Sequence, residues 1–184
     1  QKNFLSNSTV ALPTLQALML SQTEKSQPQL YQPQDVIRFN IALPETLLNR
    51  RPQMKGQYFE VVRVDLNTNL ITLQGSDKRQ TTWNPSLEQN LKQVDVFRVS
   101  KRELSVGDSL VWTRTSKNAD KTLNKIKNQS ASVVSVTPTS VTVQLQNGQI
   151  TTFNPEDAQH QHWDYGYAVL LKNRDVSVPK DTFL

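Results

Sequence analysis

The stretch Gln80-Thr-Thr-Trp-Asn-Pro85 returns as Ile150-Thr-Thr-Phe-Asn-Pro155, 70 residues later in a chain of 184 residues. Further segments match in the same order around it, at offsets that drift from 73 to 70 residues. They pair Leu30–Phe39 with Glu103–Trp112, Val61–Val64 with Val133–Val136, and Asp95–Val99 with Tyr165–Val169. Similar segments in one shared order predict an internal duplication, in which each copy is a structural unit of its own.

Short runs rich in β-branched and aromatic residues dominate both copies and are separated by turn residues, a pattern typical of strands. Asn147-Gly148 lies between two such runs and predicts a hairpin with a type I′ turn. Helix signals are few: Ser21-Gln-Thr-Glu24 has the spacing of a capping box, and an Asn-Pro pair follows each repeated aromatic residue.

We therefore predict a mainly β chain of two tandem small SH3-like barrels with one or two short helical turns. Residues 1–29 would form a lead-in segment with a short helix, residues 30–100 the first barrel, residues 101–170 the second and residues 171–184 an exit tail. Two small cores also explain why apolar residues make up only 36% of the chain.

The composition excludes several chemistries. The chain has no Cys, only five Gly and only two His, which lie together as His160 and His162. These counts argue against thiolate chemistry, a glycine-rich phosphate loop and a dispersed catalytic triad. No apolar run reaches the roughly 18 residues that a membrane-spanning helix needs. We expect no catalytic residue, no cofactor, no metal site and no membrane insertion.

The net charge of +5 favours an anionic partner, and the cations concentrate in one loop of each copy. These loops follow the first strand of each barrel, where basic side chains could contact a nucleic-acid backbone without reading its sequence. A solvated loop that only keeps the protein soluble is an equally weighted alternative. The candidate DNA-binding residues are Arg50, Arg51, Lys55, Arg114, Lys117, Lys121, Lys125 and Lys127.

Aromatic residues divide into two groups by whether the other copy keeps them. Six lie in matched pairs and are expected in the cores: Phe39 with Trp112, Trp83 with Phe153, and Phe97 with Tyr167. Three others have no aromatic partner in the alignment and are the candidates for base stacking or partner contact: Tyr58, Trp163 and Tyr165. Asp35 and Asp108 open matching strands, where a turn or cap role is expected.

Four segments, taken in order, resemble conjugative relaxase–helicases of the TraI/TrwC type. They are Tyr31-Gln-Pro-Gln-Asp-Val-Ile-Arg-Phe39, Lys55–Val64 with its continuation in Asn69–Leu73 and Thr82–Pro85, Glu103–Arg114 with its Leu-Ser-Val-Gly-Asp core, and His162-Trp-Asp-Tyr-Gly-Tyr-Ala-Val169. The resemblance covers about residues 9–169. It implies the 2B and 2B-like β-barrel insertion of a RecD-like helicase domain, with residues 9–20 entering from the helicase core and residues 165–171 returning to it.

The resemblance implies a non-catalytic subdomain that contributes to single-stranded DNA binding, to recognition as a type IV secretion translocation signal, or to both. Its partners would be single-stranded DNA, the type IV secretion coupling protein and the rest of the parent chain, a DNA relaxase and ATP-dependent helicase in the bacterial cytoplasm, from which the protein could be transferred with DNA. After Tyr167-Ala168 the sequence lacks the family's Thr-x-His-x-x-Gln-Gly motif, as expected either of a vestigial helicase domain or of a piece excised from a longer chain. A protein- or RNA-binding tandem SH3-like module unrelated to conjugation is the alternative.

Overall fold

The computed structural model describes residues 9–40, 56–116 and 125–167. Their contacts divide into two compact units. The described residues of Leu15–Ser100 form the first unit, and those of Gln1–Thr14 and Lys101–Leu184 form the second. The division falls within two strands, Val10–Ala17 and Val94–Leu104.

The first unit is built on a sheet of six strands with the order β1-β6-β2-β3-β4-β5. The strands are β1 (Val10–Ala17), β2 (Val36–Phe39), β3 (Tyr58–Asp65), β4 (Leu70–Gly75), β5 (Gln80–Trp83) and β6 (Val94–Leu104). Helix α1 (Gln22–Lys25) begins at Ser21, which forms the predicted capping box with Glu24. Single 3-10 turns cover Pro28–Leu30, Pro85–Leu87 and Leu91–Gln93.

The second unit has five strands with the order β10-β9-β8-β7-β11. They are β7 (Ser109–Trp112), β8 (Ser130–Thr137), β9 (Ser140–Leu145), β10 (Ile150–Phe153) and β11 (Trp163–Tyr165), with a 3-10 turn at Ala158–His160. The prediction of a mainly β chain is confirmed. The sheets are nevertheless not closed barrels, because each order ends at two edge strands. Three of the four edge strands, β5, β10 and β11, have only three or four residues and offer few unpaired backbone groups.

The two units repeat the same backbone details. Val61 N donates to Asp35 O, and Val133 N donates to Asp108 O, each at 2.8 Å. The ladder between β3 and β4 shifts after Val61, and that between β8 and β9 shifts after Val133. The conserved Thr-Thr-aromatic-Asn-Pro stretch has one role in both units: its aromatic residue enters the core and its Asn side chain accepts a backbone N–H two residues later. The structure therefore carries the repeat that the sequence predicts.

Each unit has its own core of buried side chains. Five of the six aromatic residues predicted to be buried are so: Phe39, Trp83 and Phe97 in the first unit, and Trp112 and Phe153 in the second. Phe39 and Trp83 meet edge to face at 5.5 Å, and Trp112 and Phe153 do so at 5.7 Å. Such pairs stabilise a core by about 1 kcal/mol beyond the area that they bury.

The sixth, Tyr167, is 62% exposed, and the prediction for it is wrong. The register of the closing strands gives the reason. Phe39 pairs with Val94, whereas Trp112 pairs with Trp163, so the closing strands match at an offset of 69 residues and not 70. A slip of one residue moves every side chain to the opposite face of a strand. Trp163 therefore takes the core place of Val94, and Tyr167 lies beyond the end of β11, where the backbone is helical.

The hairpin at Asn147-Gly148 is present, but its turn is not the predicted type I′. Only Gly148 has positive φ (83°) there, and Leu145 N donates to Gln149 O to close a three-residue loop. The first unit has the same turn, in which Lys78 (φ 62°) stands where Gly148 stands in the second. Three-residue hairpin loops of this kind need one left-handed residue, which glycine adopts most readily.

Candidate functional site

The predicted basic loops follow β2 and β7, which occupy the same place in the two sheets. The structure describes the base of the second loop. Ser116 and Lys125 pair as an antiparallel bridge, and Lys127 N donates to Thr115 Oγ1 at 3.0 Å. This pairing brings Arg114 and Lys127 to the two strands at the base of the loop, with Arg114 half-buried and Lys127 exposed. Two of the candidate DNA-binding residues therefore lie close to one another.

Five other candidate cations lie outside the described residues. They are Arg50, Arg51 and Lys55 in the first loop and Lys117 and Lys121 in the second. Their assignment to DNA binding stays a prediction.

Lys125 does not lie on the surface. Its side chain is fully buried at 0% exposure, and its Nζ lies 2.7 Å from Gln159 O and 2.5 Å from His160 Nδ1. The ammonium position also lies over the rings of Trp112 and Phe153, at 5.4 and 5.9 Å from their centroids. The prediction that Lys125 contacts DNA is therefore corrected: its nitrogen closes the core beneath the loop.

The burial changes how this pair of residues ionises. Loss of water around Lys125 lowers its pKa from 10.5 to about 7, although nearby Asp157 opposes the shift. Burial and the Lys125 charge lower the pKa of His160 to about 4. A neutral imidazole at His160 can accept a hydrogen bond from Lys125 at Nδ1. A protonated imidazole could not accept it, because both of its ring nitrogens are donors.

One of the three residues predicted to stack on bases is buried in the core. Trp163 is 2% exposed and belongs to the second core, as the register of β11 requires. Tyr58 and Tyr165 are half-buried. Both carry an arginine over the ring: Arg38 lies 5.5 Å from the centroid of Tyr58, and Arg102 lies 5.3 Å from that of Tyr165. Base stacking at Tyr58 and Tyr165 stays a prediction.

Neither of these arginines was among the residues predicted from the sequence. Arg38 donates to Asn40 Oδ1, and Asn40 donates to Asp95 Oδ2 at 3.0 Å, immediately before the first basic loop. Arg102 forms an ion pair with Asp164 at 3.0 Å. Strand alternation could have found Arg38, because it lies between the buried residues Ile37 and Phe39 on β2 and therefore faces the opposite side of the sheet.

The two aspartates that open matching strands have the predicted turn role. Gln32 N donates to Asp35 Oδ2 at 2.9 Å, and Ser105 N donates to Asp108 Oδ2 at 2.8 Å. Within the part of the chain that the structure describes, no three His, Asp or Glu side chains gather as metal ligands would. No helix in that part is both long and apolar enough to cross a bilayer.

Neither a scan against models of protein families nor a search of curated proteins finds a match to this chain. The relaxase–helicase resemblance therefore rests on the order of its motifs in the sequence.

Proposed function

We propose that this chain is a non-catalytic subdomain of a bacterial conjugative relaxase–helicase that binds single-stranded DNA through the basic loops after β2 and β7. The observation that carries the proposal is the repeat itself. Both units place a cation-bearing loop after the same strand, so that one backbone-binding element occurs twice. Phosphate contacts by lysine and arginine need no sequence readout, which suits a protein that follows a strand of any sequence.

A role as a translocation signal for type IV secretion belongs to the same proposal and is supported by the motif order alone. It requires a surface that the coupling protein recognises. The charge reversals described below also test it when they are made in the parent protein. A loss of DNA transfer with unchanged DNA affinity would assign the loops to secretion.

The direct test uses the double variant Arg114→Glu with Lys127→Glu, whose positions lie together at the base of the second loop. Affinity for a fluorescent single-stranded oligonucleotide is measured by anisotropy across a salt series. If each side chain contacts one phosphate, the slope of log K against log salt should fall by about 1.4 in magnitude. Variants at Arg50, Arg51 and Lys55, and at Lys117 and Lys121, extend the measurement to the remaining predicted contacts.

The matched control is Lys92→Glu with Lys101→Glu, which changes the net charge equally at two exposed positions outside the loops. Equal weakening by the two pairs would mean that only the overall charge matters and would refute the loop assignment. Comparable affinity for single-stranded RNA would favour the alternative RNA-binding module. Absence of oligonucleotide binding at low salt would favour a module that binds protein alone.

A further inference from the structure

The two units treat one matching aspartate differently. In the first unit Asp35 is 2% exposed and receives two bonds from the Arg98 guanidinium, from Nε to Oδ1 at 3.1 Å and from Nη2 to Oδ2 at 3.3 Å. Arg98 lies on β6, one residue beyond the pair Val36–Phe97. A bidentate arginine–carboxylate pair is a strong and directional contact. The first unit thus supplies its own cation to this carboxylate.

Among the described residues of the second unit, no arginine forms an ion pair with the matching aspartate, Asp108. Asp108 accepts Ser105 N exactly as Asp35 accepts Gln32 N, so the two carboxylates are held by the same turn. Tyr167 lies two residues beyond the end of β11, where the backbone is helical. It stacks on Tyr165 with centroids 5.1 Å apart and planes 10° apart.

An open groove of about 750 Å³ lies at this place, and its described lining belongs wholly to the second unit. Asp108 and Glu103 supply two carboxylates, Tyr165 and Tyr167 supply the stacked rings, and Ser109 and Asn128 supply polar groups. Among the described lining residues none is a lysine or an arginine. Gly166 lets the backbone pass close to β7 at this place, because a Cβ there would lie 2.5 Å from Ser109 Oγ.

We propose that this groove binds an arginine side chain presented by a partner protein, with the guanidinium paired to Asp108 and its plane against Tyr167, the exposed ring of the Tyr165–Tyr167 stack, because Arg102 already lies over Tyr165. Carboxylate and aromatic face together are the two groups that a planar guanidinium recognises best. We expect the bound guanidinium to pair with Asp108 as the Arg98 guanidinium pairs with Asp35 in the first unit. Two carboxylates repel phosphate, so this surface is distinct from the proposed DNA-binding loops and does not depend on them.

The test is a titration of the full chain, labelled with ¹⁵N, with a short Gly/Ser peptide that carries one arginine. The control peptide carries citrulline, which keeps the shape of arginine and lacks its charge. The arginine peptide should shift the amides of Asp108, Gly166 and Tyr167 and the citrulline peptide should not. Asp108→Asn should weaken binding about tenfold, as expected for a hydrogen bond to a charged group, while its amide oxygen can still accept Ser105 N and keep the turn. Equal shifts with both peptides, or unchanged binding by Asp108→Asn, would overturn the proposal.

A second variant imitates the first unit. Because Tyr167 and Asp108 line the same groove, Tyr167→Arg should place an arginine of the chain itself beside Asp108, raise thermal stability and abolish binding of the peptide. Full peptide affinity in this variant would contradict the equivalence of the two sites. Arg174 follows Tyr167 by seven residues, and Arg174→Ala tests whether this arginine of the chain itself occupies the groove. Tighter peptide binding in this variant would show that Arg174 competes with the peptide and would overturn the assignment to a partner. The oligonucleotide affinity of Asp108→Asn should match that of the wild type, whether or not the DNA proposal holds.

Discussion

At the scale of single residues, Lys125 shows how a cation of a basic loop can serve the core. Its nitrogen lies over the rings of Trp112 and Phe153 and contacts Gln159 O and His160 Nδ1. Burying an ammonium costs several kcal/mol unless hydrogen bonds and neighbouring π faces offset the loss of water. The same cost lowers the pKa of Lys125, which couples the stability of the second unit to pH.

The coupling has a definite sign. Between pH 7 and pH 10.5 the unfolded chain holds a proton on Lys125 that the folded chain releases, so the free energy of unfolding should rise with pH. The increase should be about 2 kcal/mol between pH 7 and pH 9, measured by urea unfolding. Lys125→Met should remove this increase, and the exposed-site control Lys127→Met should retain it. A wild-type profile as flat as that of Lys125→Met would show that the buried lysine stays charged.

The sequence offered no signal for this burial. Lys125 is one of five basic residues in its loop, and the sequence does not distinguish it from the other four. What distinguishes it is the bridge to Ser116, which turns its side chain inward, and this pairing depends on the fold of the loop base. The roles of Asp35 and Asp108 could be predicted, because each side chain bonds a backbone N–H only three residues away. Such a local turn depends on the nearby sequence and not on tertiary structure.

At the scale of elements, the equivalent turns after β4 and β9 can be compared directly, because they share a conformation and differ in sequence. Asp77 Oδ1 accepts Arg79 N at 3.0 Å, and Asn147 Oδ1 accepts Gln149 N at 3.0 Å, so the two turns share their side-chain bond. They differ at the left-handed position, where one has Lys78 and the other Gly148. The left-handed conformation destabilises the folded state by about 1–2 kcal/mol for a residue other than glycine. Glycine avoids this cost, but its more flexible unfolded state offsets part of the gain.

Exchanging the two residues should therefore change stability in opposite directions. Lys78→Gly should raise the free energy of unfolding by about 0.5 kcal/mol, and Gly148→Lys should lower it by about 1 kcal/mol. Ser76→Gly is the control, because Ser76 lies in the same turn without a positive φ and should lose stability. Chemical denaturation of the four proteins measures all these changes. Destabilisation by Lys78→Gly as large as that by Ser76→Gly would contradict the argument.

Element identity was largely predictable from the sequence, whereas register was not. The capping box at Ser21 and the Asn-Pro turns are local chemistry and were found by their spacing. Closing strand β11 required knowledge of its partner, since sequence similarity favoured an offset of 70 and the pairing with β7 uses 69. One residue of slip reversed the expected places of Trp163 and Tyr167, and with them the rim of the groove at Asp108.

At the scale of the whole molecule, the duplication predicts two cores, and the buried side chains do form two clusters without a shared member. Ile71 and Val141 occupy equivalent places in them, on β4 and β9, and both are 0% exposed. Each is surrounded by residues of its own cluster. A cavity at one of these sites removes contacts from that cluster alone, so its effect on local opening should be confined to one unit.

Ile71→Ala should cost about 2–5 kcal/mol and Val141→Ala somewhat less, because fewer methyl groups are removed. Hydrogen exchange followed by mass spectrometry locates the loss. Ile71→Ala should lower protection in β3, β4 and β5 and leave β8, β9 and β10 unchanged, and Val141→Ala should do the reverse. Each variant is thus the control for the other. An equal loss of protection in both sheets for either variant would mean that the chain opens as a single cooperative unit, and the two repeats would then share their stability despite their separate cores.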